Sequence, residues 1–499
     1  MPRMLTATVL LVALSIARLA AQAPAAQVVA DAAAALGGRE RVLAVKRLTI
    51  EGVGSNPNLG QQMRPESELL LWMVPDFRRT IDLEHGRMLL TFTRRPAFPA
   101  VFDNQRNMQG LDGDVAYNVP LGFGGRAGGP APVAPPVPVR LPDAVAKDRR
   151  IEMLHHPLTA VRAALDPAAR LSNVRQTGGT RSIDITTAKG DTITLTVDAQ
   201  GRPLSVASLA DQANLGDVVR TTTFSGYEDV GGIRVPRHLT TTVDRWTEWD
   251  IGVMKNTVNG DLGDLAEPTT ARNASAPPAN QPQNVMVTEI AKGIWFLTGA
   301  AVPSMVVEFA DHVAIVEVPV SESRTQAVIE KAKALVPGKP VTQAIVTHHH
   351  FDHTAGLRAA VAEGLTIVTH RVNEAWFREV VRRKHSVVPD ALARTPKPLK
   401  LVTVDDALTL KDGTMEVDLY HLVDSTHGDG IIATYFPAQR VYAEPDVWNP
   451  GAQIQPHLRS LYEDIMRRGL QIDRIVPLHG TAVQPYSELQ KVIQQWVTN

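Results

Sequence analysis

No cysteine occurs anywhere in the 499-residue chain. Disulfide bonds, thiolate nucleophiles and zinc sites built on cysteine are therefore excluded, and so is a lipid anchor on an N-terminal cysteine. Any metal ion bound by this chain must be held by histidine and carboxylate side chains.

An excess of charge of either sign is also absent. Lys and Arg number 51 against 52 Asp and Glu, which gives a formal net charge of -1. The chain therefore has no global electrostatic reason to bind nucleic acid, and we expect no nucleic-acid partner. A content of 44% hydrophobic and 21% charged residues is typical of globular proteins, and the length predicts two or more domains.

The N-terminus lacks an apolar run long enough for a membrane anchor. Its apolar stretch, residues 5–16, is shorter than the roughly 20 residues that a spanning helix needs, and Arg18 follows closely. Arg3 precedes the stretch, and small residues around Ala21 and Ala23 follow it. This order is typical of a secretory signal, so we predict a signal peptide over residues 1–23 and a periplasmic or secreted protein.

Residues 28–269 are predicted to form a mostly antiparallel, β-rich domain. Short alternating or apolar runs separated by Gly, Asp, Asn and Pro indicate strands. The predicted strands are residues 47–53, 68–74, 88–93, 182–186, 192–197 and 239–243, and the predicted helices are 28–37 and 158–165. The helix-then-strands order and the exported context resemble the LolA/LolB-like half-barrels of the periplasm. That resemblance implies a lipid or another apolar ligand for this domain.

Two stretches are too rich in Gly, Pro or Ala for regular structure. Residues 122–142 are interpreted as a loop inside the first domain, with a Pro-rich docking motif as the alternative. Residues 270–284 have the composition of an interdomain linker. After this linker, strand and helix patterns alternate, which predicts a layered α/β domain over residues 285–499.

A cluster of metal-binding side chains follows the apolar run at residues 344–346. His348 and His350, two apart in an extended segment, point to the same side and can share one ion, while Asp352 and His353 face a second. His349 points away from them. Four-coordinate zinc needs further donors, and the candidates all lie at or just beyond the ends of predicted strands. They are His427, Asp446 (with Glu444 as a nearby competitor) and His479.

These motifs resemble the metallo-β-lactamase superfamily over roughly residues 285–499. The resemblance rests on His-x-His-x-Asp-His at residues 348–353, His427 in a glycine-containing turn, Asp446 after an apolar strand, and His479 followed by Gly480. It implies an αββα sandwich, so that the expected fold class is α+β or α/β with a β-rich domain in front. The ligand set it implies is His348, His350 and His427 for a first zinc ion, Asp352, His353 and His479 for a second, and Asp446 as the bridge. Asp446 stands where β-lactamases of the superfamily often have Cys, so the chain looks more like the glyoxalase II and lactonase branches.

The predicted chemistry is hydrolysis. Zinc lowers the pKa of bound water from about 15.7 toward about 7, so a metal-bound hydroxide exists at neutral pH, and Asp352 is the catalytic residue that orients it. A surplus of positive charge at the two Zn²⁺ ions favours an anionic small-molecule substrate. We therefore expect a binuclear zinc metallohydrolase that attacks an ester, thioester, lactone or amide carbonyl. The alternative is an exported apolar-ligand-binding protein with an accessory metal-binding domain.

Overall fold

A computed structural model describes residues 24–98, 104–121, 137–263, 265, 268–278, 283–450 and 456–498. The predicted signal peptide over residues 1–23 lies outside this range, as do residues 122–136 of the predicted loop. No helix within the described ranges is long and apolar enough to cross a membrane.

The N-terminal half contains fifteen described strands and a few helices. The strands are β1 (Arg47–Ser55), β2 (Trp72–Asp82), β3 (Arg87–Pro96), β4 (Gln105–Asp112), β5 (Val115–Asn118), β6 (Val139–Arg140), β7 (Arg170–Thr177), β8 (Thr180–Thr186), β9 (Thr192–Val197), β10 (Pro203–Gln212), β11 (Gly216–Ser225), β12 (Glu228–Val230), β13 (Ile233–Val235), β14 (His238–Val243) and β15 (Trp246–Val258). The helices are α1 (residues 24–35), α2 (Arg39–Ala44), α3 (Asp143–Met153), α4 (Pro157–Ala164) and α5 (Thr269–Asn273).

Thirteen of these strands form one antiparallel sheet in the order β6-β5-β4-β3-β2-β1-β15-β14-β11-β10-β9-β8-β7. In β9, Ile193, Leu195 and Val197 alternate with more exposed threonines, because successive side chains of a strand point to opposite faces. The inward residues pack with apolar side chains of α1 and α4, such as Val28 and Leu158, in a single core. The chain's own helices therefore cover the apolar face of the sheet.

The C-terminal half holds two further sheets and the remaining helices. The strands are β16 (Met286–Ala291), β17 (Ile294–Thr298), β18 (Ser304–Glu308), β19 (Val313–Val316), β20 (Val341–Ile345), β21 (Thr366–His370), β22 (Lys400–Val404), β23 (Ala407–Lys411), β24 (Glu416–His421), β25 (Ile432–Phe436), β26 (Val441–Glu444), β27 (Arg474–Pro477) and β28 (Gln484–Pro485). The helices are α6 (Glu322–Leu335), α7 (Phe351–Thr354), α8 (Leu357–Glu363), α9 (Glu374–Arg382), α10 (Ala391–Arg394), α11 (Leu458–Arg468) and α12 (Tyr486–Thr498), with a 3-10 turn at Arg371–Asn373.

The sheets β16 to β22 and β23 to β28 run in sequence order and pack face to face. Phe296 and Val316 of the β16–β22 sheet meet Leu419 and Val476 of the β23–β28 sheet in the central core. Helices α6, α8 and α9 cover the outside of the β16–β22 sheet, and α11 and α12 cover the outside of the β23–β28 sheet. The C-terminal half is thus an αββα sandwich preceded by a large antiparallel sheet, which confirms the predicted fold class.

The two halves share a hydrophobic cluster. Leu215, Val218 and Trp246 of the N-terminal half pack with residues of the sandwich that include Trp376 and Phe377. The predicted linker begins as helix α5, which contains the buried Ala271 and contacts β5 and β6 of the N-terminal sheet. The predicted strand over residues 68–74 was wrong at its start, because the strand begins only at Trp72. The preceding leucines belong to a loop in which Leu69 packs on the shared cluster.

Candidate metal centre

The histidine-rich segment leaves β20 at the edge where neighbouring strands end. Strands β19, β20 and β21 are parallel, so their carboxyl ends lie together. In the facing sheet, β26 and β27 are also parallel, and Asp446 and His479 each lie two residues beyond them. His427 lies in the turn between β24 and β25. Side chains far apart in sequence therefore converge on one edge of the sandwich.

The predicted ligands form two groups of potential metal donors. The donor atoms within each group lie within 4.8 Å of one another. The first group is His348, His350, His427 and Asp446, and the second is Asp352, His353, Asp446 and His479. All seven predicted residues are brought together, and His349 lies in neither group.

Asp446 joins the two groups. Its Oδ2 lies 2.9 Å from His427 Nε2, 3.1 Å from His353 Nε2 and 3.6 Å from His348 Nε2. Its Oδ1 lies 3.1 Å from His479 Nε2. One carboxylate therefore faces both halves of the centre, as a bridging ligand would.

The first group presents ring nitrogens of the kind that a metal site requires. His348 Nε2, His350 Nδ1 and His427 Nε2 are buried and make no hydrogen bond with any residue that the structure describes, although His427 Nε2 lies 2.9 Å from the shared Asp446 carboxylate. The other ring nitrogens of two of them are occupied, since His348 Nδ1 lies 3.0 Å from Thr347 Oγ1 and His350 Nε2 donates to a backbone carbonyl at 3.0 Å. A buried polar atom without a partner costs free energy, whereas neutral imidazole nitrogen is a preferred zinc ligand. The residues present therefore fit a zinc ion.

Glu317 supports ligands of both groups and was missed by the sequence analysis. It follows β19 directly, is fully buried and accepts a hydrogen bond from Thr347 Oγ1. Its Oε1 also lies 3.1 Å from His353 Nδ1. An acidic residue at the end of a wholly apolar strand, beside the strand that carries the histidines, was the available signal.

Burial and charge oppose each other in the centre. Burial, together with the neighbouring imidazoles of His353 and His350, lowers the pKa of His348 well below its ordinary value. Burial would raise the pKa of Asp446, but the imidazoles of His353, His479 and His427 outweigh it and hold that pKa well below its ordinary value. The carboxylate is thus kept ionised, which is the form that binds a cation.

Glu444 has a different role from Asp446. Its Oε2 accepts the backbone N–H groups of Val447 at 2.8 Å and Trp448 at 3.0 Å, so Glu444 shapes the turn. It belongs to neither of the two donor groups found among the described residues. Asp446, two residues later, is the carboxylate presented to the histidines.

Three further histidines lie outside the two donor groups. His370 Nδ1 accepts from Val372 N at 3.3 Å, and its ring stacks on His421 at 4.0 Å between centroids. The His457 ring lies 5.4 Å from that of His427, and burial lowers the pKa of His457 to about 4. His370 therefore has a local structural task, while His457 faces the centre.

The centre is open on one side. The side chains of His348 and His353 are fully buried, whereas those of His427, His479 and Asp352 are 20%, 28% and 35% exposed. A small molecule must therefore approach past His427, His479 and Asp352.

Comparison with known proteins identifies a family for part of the C-terminal half. Residues 297–443 match the model of the metallo-beta-lactamase superfamily. A search of curated proteins gave no match. Among solved structures, the metallo-beta-lactamase from Pontibacter korlensis is 18% identical with a TM-score of 0.33, and the match covers 42% of this chain and 98% of that one. The metallo-beta-lactamase FIM-1 from Pseudomonas aeruginosa, in its mono-zinc form, is 18% identical with a TM-score of 0.34, covering 43% and 96%.

These matches lend no support to the LolA/LolB-like resemblance of residues 28–269. The support concerns the C-terminal half, where the family model and the two donor groups coincide over residues 348–427. The chain therefore contains a metallo-beta-lactamase superfamily domain at residues 297–443.

Proposed function

We propose that the protein is a binuclear zinc hydrolase that attacks the carbonyl group of an ester, thioester, lactone or amide. The observation that carries the proposal is the pair of donor groups sharing Asp446, with three buried imidazole nitrogens that make no hydrogen bond among the described residues. A donor set of imidazole and carboxylate without thiolate suits zinc.

In this proposal each group of side chains holds one ion. His348, His350 and His427 would hold the first zinc, Asp352, His353 and His479 would hold the second, and Asp446 would bridge them. When bound, zinc would lower the pKa of a coordinated water molecule and polarise the carbonyl group of a substrate.

Asp352 is the proposed catalytic residue. Burial would raise its pKa, but His353 and His479 outweigh this and hold the pKa of Asp352 far below its ordinary value. Its carboxylate is therefore ionised, and it is the most exposed acidic group of the centre. Such a group can accept a hydrogen bond from the attacking water and orient it toward a substrate entering from the open side.

The substrate we propose is an anionic small molecule. The two donor groups found among the described residues contain two carboxylates, Asp352 and Asp446. Two divalent cations held there would leave the centre with positive charge to bind an anion and stabilise a developing oxyanion. A periplasmic or secreted location is part of the proposal and rests on the sequence of residues 1–23.

The alternative function, a carrier of apolar ligands, is less favoured, because α1 and α4 cover the apolar face of the N-terminal sheet.

Alanine substitutions test the assignment. We expect His348→Ala and His427→Ala to lose zinc, and Asp352→Ala to lose activity by about a hundredfold or more, because a ligand and the group that orients the water are both removed. The measurements are zinc content by elemental analysis and hydrolysis of a panel of esters, thioesters, lactones and β-lactams.

His349→Ala is the matched control, since His349 lies in the same segment but in neither donor group. It should keep its zinc and its activity. Full activity in Asp352→Ala, or an equal loss of zinc in His349→Ala and His348→Ala, would contradict the assigned roles.

A further inference from the structure

The loop between β1 and β2 leaves the first sheet and reaches the metal centre. Its neck is closed by a bridge in which Asn58 N donates to Leu70 O at 2.9 Å. The residues beyond this neck extend to the sandwich, where Leu59 and Leu69 pack on the shared hydrophobic cluster. We call residues 59–69 the β1–β2 loop.

The loop is seated on the histidine-rich segment through its backbone. Phe351 N donates to Gly60 O at 3.0 Å. Gly60 has a φ of +83°, and a Cβ atom there would lie 2.2 Å from Cγ of the Phe351 ring. Only glycine allows the loop to approach this closely, because any side chain would collide with the ring.

The next contact reaches a proposed zinc ligand. His350 Nε2 donates to Gln62 O at 3.0 Å, and Gln62 is 2% exposed. Because the proton is held on Nε2, the lone pair of His350 lies on Nδ1, the nitrogen that makes no hydrogen bond among the described residues. A backbone carbonyl commonly sets the tautomer of a metal-binding histidine in this way. Here the carbonyl comes from the other half of the chain.

A side chain of the loop reaches the second donor group. Gln61 Nε2 donates to Asp352 Oδ1 at 2.7 Å. The other oxygen, Asp352 Oδ2, lies 3.1 Å from His479 Nε2. Gln61 therefore binds one oxygen of the Asp352 carboxylate and leaves the other oxygen directed at His479.

The loop also touches the turn that carries His427. Asp429 N donates to Met63 O at 2.8 Å, and Arg64 forms an ion pair with the carboxylate of Asp429. Consecutive residues of one loop thus contact both segments that supply the histidines of the first donor group. A loop serving only to connect β1 with β2 would have no need to contact the side chains of two proposed ligands.

We propose that the N-terminal half completes the metal centre, with Gln61 as a positioning residue for Asp352 and the Gln62 carbonyl as the group that sets the tautomer of His350. The inference rests on the proposed function, because it assigns Asp352 and His350 to zinc. It adds residues that lie outside the superfamily domain at residues 297–443.

The test uses the full-length protein stripped of metal and titrated with Zn²⁺ against a chromophoric chelator. In Gln61→Leu we expect one of the two zinc equivalents to bind about tenfold to a hundredfold more weakly and the other to be unchanged. The absorption spectrum of the Co²⁺-substituted variant should change as well, because the geometry of a carboxylate ligand has changed. Gln27→Leu is the matched control, since Gln27 Nε2 donates to Asp31 Oδ1 at 2.8 Å in an exposed pair outside the centre.

A second variant tests the His350 contact independently of Gln61. Gly60→Ala should push the loop away from Phe351 and weaken zinc binding through the loss of the Gln62 contact. Gly86→Ala controls for backbone strain, because Gly86 also has a positive φ, of +64°, but nothing among the described atoms lies within 4 Å of its Cβ position.

The outcomes separate the two proposals. A wild-type protein that binds no zinc would overturn the proposed function and this inference together. If the wild type binds two zinc ions and Gln61→Leu and Gly60→Ala match their controls in affinity and Co²⁺ spectrum, the inference is wrong and the proposed function stands. A loop with a packing role only would lower the melting temperature and leave both metal measurements unchanged.

Discussion

At the residue scale, two acidic side chains of the centre sit on unusual backbone. Asp446 has a φ of 60° and Glu317 a φ of 72°, in the left-handed region that non-glycine residues rarely adopt. Each follows the end of a buried strand, where the chain turns sharply toward the edge of the sandwich. Such conformations cost about 1 to 3 kcal/mol and persist where the surroundings hold them, as Glu444 does by accepting two backbone N–H groups after Asp446.

Glu317→Gln tests whether the carboxylate that this backbone presents serves the metal centre. We expect zinc affinity to fall about tenfold to a hundredfold, because the carboxylate contacts Thr347, which contacts His348, and also lies against His353. Isothermal titration of the metal-free protein with Zn²⁺ measures the change. Glu416→Gln, which breaks an exposed ion pair with Lys411, should bind zinc as the wild type does. Equal affinities in the two variants would show that Glu317 has no such role.

At the element scale, β15 docks on helix α9. Trp246, at the start of β15, meets Trp376 of α9 edge-on, with ring centroids 6.0 Å apart. Ion pairs flank the tryptophans: Arg245 with Glu379 at 3.0 Å, and Arg383 with Asp244. An aromatic pair rimmed by charges stabilises this contact chiefly through the apolar area it buries.

Trp246→Ala should weaken the contact between the halves. Truncating a buried tryptophan costs about 3 to 5 kcal/mol, and here the loss falls on the shared cluster. We expect the calorimetric melting curve to split into two transitions. Trp249→Ala is the comparison, because Trp249 packs on Phe77 and Phe92 inside the N-terminal half and its loss should lower the melting temperature without such a split. A single transition in Trp246→Ala would argue against this coupling.

At the scale of the whole molecule, the halves enclose a cavity of about 480 Å³. Asp211 of β10 lines it from one side, and Glu322, Arg358 and Asp390 line it from the other. Asn214, also in its wall, donates to Phe351 O at 3.1 Å, which links the cavity wall to the segment that carries the proposed ligands. Burial, together with the carboxylates of Asp148, Asp217 and Asp390, raises the pKa of Asp211 to about 6.

This raised pKa predicts a pH-dependent effect of Asp211→Asn. Below the ordinary pKa of 3.8 the carboxyl group is protonated in both folded and unfolded states, so it contributes nothing. Between pH 3.8 and about pH 6, Asp211 is ionised in the unfolded chain but still protonated in the folded state. Its effect is to destabilise the folded state, and this destabilisation grows until the pH exceeds about 6. Asp211→Asn should therefore increase the free energy of unfolding at pH 7.5, by about 1 kcal/mol for this partly exposed group, and leave it unchanged near pH 3.5. Denaturant titrations at the two pH values measure it, and an equal change at both would refute the assignment.

Features that depend on neighbouring residues could be predicted from the amino-acid pattern. The alternation in residues 192–197 predicted β9 to the residue, and the apolar run before His348 placed the histidine-rich segment at the end of a buried strand. The strand ends before His427, Asp446 and His479 identified side chains that the fold brings together, because the ends of adjacent parallel strands meet at one edge.

Contacts between distant segments depend on how the folded chain packs. The fold presents Asp446 to the histidines and directs the Glu444 carboxylate to the backbone N–H of Val447. The amino-acid pattern could not distinguish these two residues, because both lie at the same strand end. The structure also shows that residues 68–71 lie outside β2, because Leu69 packs where the two halves meet. Gln61 and Asp352 are 291 residues apart, and no local periodicity relates them. Their contact exists because burial of the shared apolar cluster docks the first sheet on the sandwich and brings the β1–β2 loop to the metal centre.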